Sequence, residues 1–171
     1  IYNLKDFVVY PKHGVGKITA IEKAKIGEID IQFYKILVEK EKLTLTVPIN
    51  QQSKLRPIST INQINKCISI LKTKPKIKRT MWSRRAQEYE AKINSGDIKL
   101  LTEVVRDLFR SDSQPEQSYS ERQLYEAARE RLSREVAVIE KTDEQKAIEK
   151  METILNNSNG RNQELSTEDQ E

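Results

Sequence analysis

The chain has 171 residues, 36% hydrophobic and 33% charged, which is room for one ordinary domain or two small ones, and its mean hydropathy of -0.71 assigns much of it to helical surface or solvated tail. No apolar run is long enough to cross a bilayer and nothing at the start resembles a secretory signal, so a soluble, cytoplasmic protein is expected. A net charge of +4 hides two unlike parts: residues 1–111 carry 22 Lys or Arg against 11 Asp or Glu, residues 112–171 carry 8 against 15, and only the first part attracts phosphate.

Residues 5–58 read as strands. Asp6–Tyr10, Val15–Glu22, Ile29–Glu39 and Lys42–Pro48 are rich in β-branched and aromatic residues, and Leu43, Leu45 and Val47 alternate with Thr44 and Thr46 as a half-buried strand requires. Turn chemistry comes from Pro11-Lys12-His13-Gly14 and Lys25-Ile26-Gly27-Glu28, with a polar hairpin tip at Glu39–Lys42. Four or five short strands in this space predict a small, strongly bent antiparallel sheet or barrel, Tudor-like or SH3-like. Pro48 marks a strand end or an edge, and an edge can accept a strand from a partner.

After Arg56-Pro57 the apolar period lengthens. Ile61, Ile64, Ile68 and Leu71 share one helical face behind a cap at Ser59 or Thr60, and Lys72-Thr73-Lys74-Pro75 ends that helix. A second helix is expected from Met81 to Asn94 behind Thr80, and a third from Ile98 to Arg110 behind Asp97, with Leu101, Val104, Val105 and Leu108 turned inward. Capping boxes at Ser120/Gln123 and Thr142/Gln145 open a fourth helix ending near Glu140 and a fifth ending near Asn156. The expected class is α+β: a β module over 1–58, an all-α helical bundle over 59–156, and a disordered tail over 157–171, where little remains to bury.

Little in this sequence resembles an active site. His13 is the sole histidine and sits in a turn, and Cys67 lies beside the apolar stripe of the first helix, so neither an internal disulfide nor a thiolate zinc cluster is open to the chain. Gly14-Val15-Gly16 leads into a strand and lacks the Lys-Ser/Thr of a phosphate loop. The expectation is a non-enzymatic protein without metal, cofactor or small-molecule ligand.

The informative stretch is basic. From Lys72 to Gln87 there are seven cations (Lys72, Lys74, Lys76, Lys78, Arg79, Arg84, Arg85) and no carboxylate, and the chain's only tryptophan, Trp82, lies within it. Tryptophan at a helix start is commonly core. Here full burial would draw several charges inward at a cost of several kcal/mol each by the usual scale. An exposed or half-exposed ring on a cationic ledge suits a nucleic acid, phosphates meeting the cations and base steps meeting the ring.

Two stretches resemble the CarD family of bacterial transcription regulators: Val8-Val9-Tyr10-Pro11-Lys12-His13-Gly14-Val15-Gly16 continuing to Thr46-Val47-Pro48, and Trp82-Ser83-Arg84-Arg85 followed by Ser95-Gly96-Asp97 and Glu103-Val104-Val105-Arg106-Asp107-Leu108-Phe109-Arg110. Transcription-repair coupling factors share the first. The resemblance implies a Tudor-like domain docked on the RNA polymerase β subunit, with a polymerase face at Lys23–Lys25 (Lys23 and Lys25 above all) and at Leu45, Thr46 and Val47. It further implies a helical domain whose Trp82 wedges into the minor groove at the upstream edge of the promoter bubble and stabilises the open complex. Arg84 and Arg85 would contact phosphates without regard to sequence, assisted by Lys78 and Arg79, and the protein would act as a monomer. Where family members often place arginines, this chain has Thr46 and Ala24, with lysines adjacent. Two other readings stay open: a Tudor-like adapter whose basic segment binds an acidic protein, and an RNA-binding factor using the β module, which has Phe33 and Tyr34 but no clustered aromatic set.

Overall fold

Strands β1 (Phe7–Tyr10), β2 (Gly14–Ile26), β3 (Ile29–Val38), β4 (Leu43–Pro48) and β5 (Arg56–Pro57) form one antiparallel sheet in the order β4-β3-β2-β1-β5. The computed structural model describes the backbone of residues 1–168 and the side chains of residues 1–158, and the chain divides into two units, Ile1–Ile58 and Ser59–Glu171. The α+β class expected from the sequence holds.

Alternation in the strands explains the sheet's core. Val8, Ile18, Tyr34, Ile36, Val47 and Leu55 point to one side and are buried together. A bulge between Ile18 and Ala20 shifts the β2–β3 register, and beyond it the hairpin runs out to Gly27, whose φ of +65° is the left-handed geometry that makes this tight turn a glycine position. Gly16 has a different role. A Cβ there would lie 2.4 Å from Ile36 Cγ2, so β2 crosses β3 too closely for any side chain at that position.

The short β5 is missed by sequence reading, which treats Arg56-Pro57 as a boundary. It pairs with β1, Val8 opposite Pro57 and Val9 opposite Arg56, and its proline is tolerated because it lies on an edge. β4 forms the other edge. His13, next to Gly14, turns its ring to Tyr10 and joins Glu41 through Nδ1 at 2.7 Å.

The second unit comprises α1 (Ile61–Leu71), α2 (Trp82–Asn94), α3 (Ile98–Leu108), α4 (Tyr119–Glu140) and α5 (Glu144–Glu168). α1 opens with a full capping box, Thr60 with Gln63, and Asp97 caps α3 by accepting from Lys99 and Leu100 N–H. The stripes Ile64/Cys67/Leu71, Leu101/Val104/Val105/Leu108 and Ala128/Leu132/Val136 meet in one core that also takes Ala147, Met151 and Leu155 from α5. Burial raises the pKa of Cys67, keeping it a protonated, inert thiol.

Three expected caps are displaced. α2 is preceded by Met81, not Thr80, with no side-chain cap. α4 is capped by Ser118, not Ser120, and the Lys146 N–H finds Asp143, not Thr142. The tail expected to be disordered from residue 157 is also corrected in part: α5 continues to Glu168, no proline following Pro115 to stop it, while 169–171 lie outside the described residues.

Candidate nucleic-acid interface

The basic loop between α1 and α2 is held by an ion pair inside α3. Arg106 and Asp107 are adjacent and both buried, 6% and 3% exposed, and Arg106 Nε donates to Asp107 Oδ1 at 2.9 Å. Each also reaches the loop: Arg106 Nη1 donates to Thr73 Oγ1 at 2.9 Å, and Asp107 Oδ1 accepts from Lys76 N–H at 3.0 Å. A buried pair contributes most when its remaining hydrogen-bonding capacity is filled, and here the basic loop fills it. The result is a fixed path for residues 73–76 over the bundle.

That path delivers the chain to the start of α2. Lys72, Lys74, Lys76, Lys78 and Arg79 are exposed along it, with Ile77 47% and Met81 78% exposed among them. Arg84 is exposed and forms no ion pair among the described residues, whereas Lys78 lies 3.5 Å from Glu88. The positive charge expected from the sequence is therefore present at the surface, with Arg79 and Arg84 the freest of the assigned cations and Lys78 shared with a carboxylate.

Trp82 is the first residue of α2, neither fully exposed nor sealed. One side of the indole packs against the helical core, its ring 6.2 Å from that of Tyr89. Its Nε1–H donates to Ser120 Oγ at 2.9 Å across 38 residues of sequence. Arg85 is turned toward the ring. Its guanidinium sits 5.4 Å from the Trp82 ring and 5.8 Å from Tyr89, and Nη2 donates to the Tyr89 hydroxyl at 3.3 Å. It supports the indole by cation–π contact and is half-buried, and of the two neighbouring arginines only Arg84 is exposed. Near the start of α2 the helix dipole adds to the attraction for anions. Tyr119, at the start of α4 beside Ser120, is 77% exposed.

The polymerase face assigned in the first unit divides in the same way. Lys23 and Lys25 are exposed on the outer part of the β2–β3 hairpin, opposite Gln32 and Asp30, with Ile26 and Ile29 exposed at its tip. On β4, Thr46 is exposed and accepts from Lys35 Nζ at 2.9 Å, Leu45 is half-buried, and Val47 is 4% exposed inside the sheet's core. The alternation that puts the Thr46 side chain outside puts that of Val47 inside, and at that position β4 exposes only its backbone edge.

Sequence reasoning missed Arg106, Asp107, Tyr89 and Ser120. For the first two the periodicity gave no signal, since positions 106 and 107 fall between Val105 and Leu108, where a helix with this stripe ordinarily turns charged side chains to solvent. For Ser120 there was none, because a serine near a helix start is ordinarily a cap.

Comparison with known proteins covers both units. Residues 2–59 match the family model for the CarD-like/TRCF RID domain, and residues 66–152 match that for the CarD C-terminal domain. A candidate transcription factor of Bacillus subtilis (strain 168), YdeB, is 30% identical over 141 residues, spanning 81% of this chain and 92% of that protein. With both domain models matched in order along the chain, the protein belongs to the CarD family of transcription regulators.

Proposed function

We propose that this protein is a non-enzymatic, cytoplasmic regulator of transcription initiation, acting as a monomer without metal or cofactor. Its β unit docks on the RNA polymerase β subunit through the β4 edge and the Lys23–Lys25 hairpin, and its helical unit stabilises the open complex with Trp82 as a minor-groove wedge. The observation that carries this reading is the seat of Trp82: a half-buried indole at a helix N-terminus, between exposed Met81 and exposed Arg84. Inserting a ring beside a base step costs a few kcal/mol of unstacking on the usual scale, least where strands are already parted, so such a ring favours a duplex–bubble junction over plain duplex. Phosphate contacts from Arg84 and Arg79 position the protein without reading sequence, and docking on polymerase makes weak DNA affinity sufficient.

The test compares promoter open-complex lifetime and the preference for forked over plain duplex DNA in wild-type protein and Trp82→Ala. The variant should lose forked-DNA preference by roughly tenfold, on the scale of one base–aromatic contact, and shorten the open-complex lifetime. Equal behaviour of the two proteins would leave only a Tudor-like protein adapter. A higher affinity for single-stranded RNA than for forked DNA would point to RNA.

A further inference from the structure

We infer that Ser120 is a positioning residue for Trp82, fixing which edge of the indole faces outward. The inference rests on the wedge reading above and adds a residue from α4 to it. Arg85 and Tyr89 touch the ring system of Trp82 from its own helix. Contacts of that kind set the plane of an aromatic ring but resist rotation within the plane only weakly. The indole has one polar atom, a donor, and its partner therefore decides the rotation. That partner is Ser120 Oγ, at 2.9 Å.

Ser120 is free for this duty because it does not cap its own helix. Ser118 accepts the Glu121 N–H at the start of α4, leaving the Ser120 hydroxyl one turn-position further in and turned to α2. The first turn of α4 also carries Tyr119, whose hydroxyl accepts from Gln123 Nε2 at 2.8 Å. Two helix starts distant in sequence are thus joined through a single N–H bond, and the indole meets DNA already oriented. Orientation set before binding is ordering that the complex need not supply.

Ser120→Ala removes the acceptor and Ser120→Thr keeps it. In the full-length protein, the fluorescence of the single tryptophan should shift in Ser120→Ala and return to the wild-type spectrum in Ser120→Thr. Forked-over-duplex preference should fall about fivefold in Ser120→Ala, the scale of one neutral hydrogen bond, and recover in Ser120→Thr, with unchanged affinity for plain duplex. An unshifted spectrum, or a shifted spectrum with intact fork preference, overturns the positioning role. Trp82→Ala, run alongside, separates the two ideas: loss of fork preference there with none in Ser120→Ala sinks the inference alone, while no loss in Trp82→Ala sinks the wedge itself.

Discussion

The two units present their surfaces by opposite means. In Ile1–Ile58 the assigned face is largely a strand edge, where side chains alternate between core and solvent and the backbone of β4 carries the unpaired groups. In the helical unit the backbone is satisfied within the helices, and the proposed contacts fall to individual side chains around Trp82, with Trp82 itself held by Ser120 and Arg85. An edge of that kind tolerates side-chain truncation and is sensitive mainly to changes of backbone geometry. A site built from a propped indole fails with any one of its props. The contrast teaches where substitutions will be felt.

The largest effect is expected at the support furthest from the surface. Asp107→Ala leaves the buried Arg106 guanidinium without its carboxylate and releases the Lys76 N–H, and breaking such a pair costs about 3–5 kcal/mol. Thermal unfolding should show a loss of this size, together with faster proteolysis within residues 73–80. An unchanged melting temperature would mean that the loop is held by something other than α3.

Next in size is a backbone change in the β unit. Gly16→Ala drives a methyl into Ile36 and should destabilise the sheet by about 1–3 kcal/mol, read by chemical denaturation. Because the β4 edge depends on β3 packing correctly on β2, polymerase binding should fall with it, whereas Thr46→Ala should leave binding within about twofold, as surface truncations usually do. Strong loss of binding in Thr46→Ala would erase the contrast between edge and side-chain recognition.

The smallest effects distinguish the cations. Arg84→Ala should lower the slope of log affinity for DNA against log salt by about 1, as expected for one lost phosphate contact. Lys78→Ala should change it by less, since Lys78 is already shared with Glu88. Equal slopes for the two variants would show that the Lys78–Glu88 pair opens in the complex.

Much of this arrangement is legible in the sequence because it is local. The alternation of Leu43, Leu45 and Val47, the stripe of α3 and the caps at Thr60 and Asp97 depend on neighbours a few residues away, and all are found where their periodicity or side-chain chemistry puts them. The basic run around Trp82 is equally plain. What escapes is whatever is decided by a partner distant in the chain. Arg85 and Arg84 look identical in sequence, yet one turns to Tyr89 and Trp82 and the other to solvent. Ser118 caps α4 in place of the expected Ser120, whose hydroxyl instead accepts from an indole on another helix. β5 is too short for any period and exists because β1 has a free side to pair with.

The place where the chain passes from one unit to the next has a consequence of its own. Pro57 is committed to β5, while Ser59 gives both its N–H and its hydroxyl to Glu135, a carboxylate buried in the middle of α4. Only Ile58 stands between these two anchored positions in the sequence. Each unit thus anchors its own end of the chain within one residue of the boundary. If polymerase docking supports the DNA contact as proposed, inserting a few glycines beside Ile58 should weaken their cooperation while leaving each contact intact.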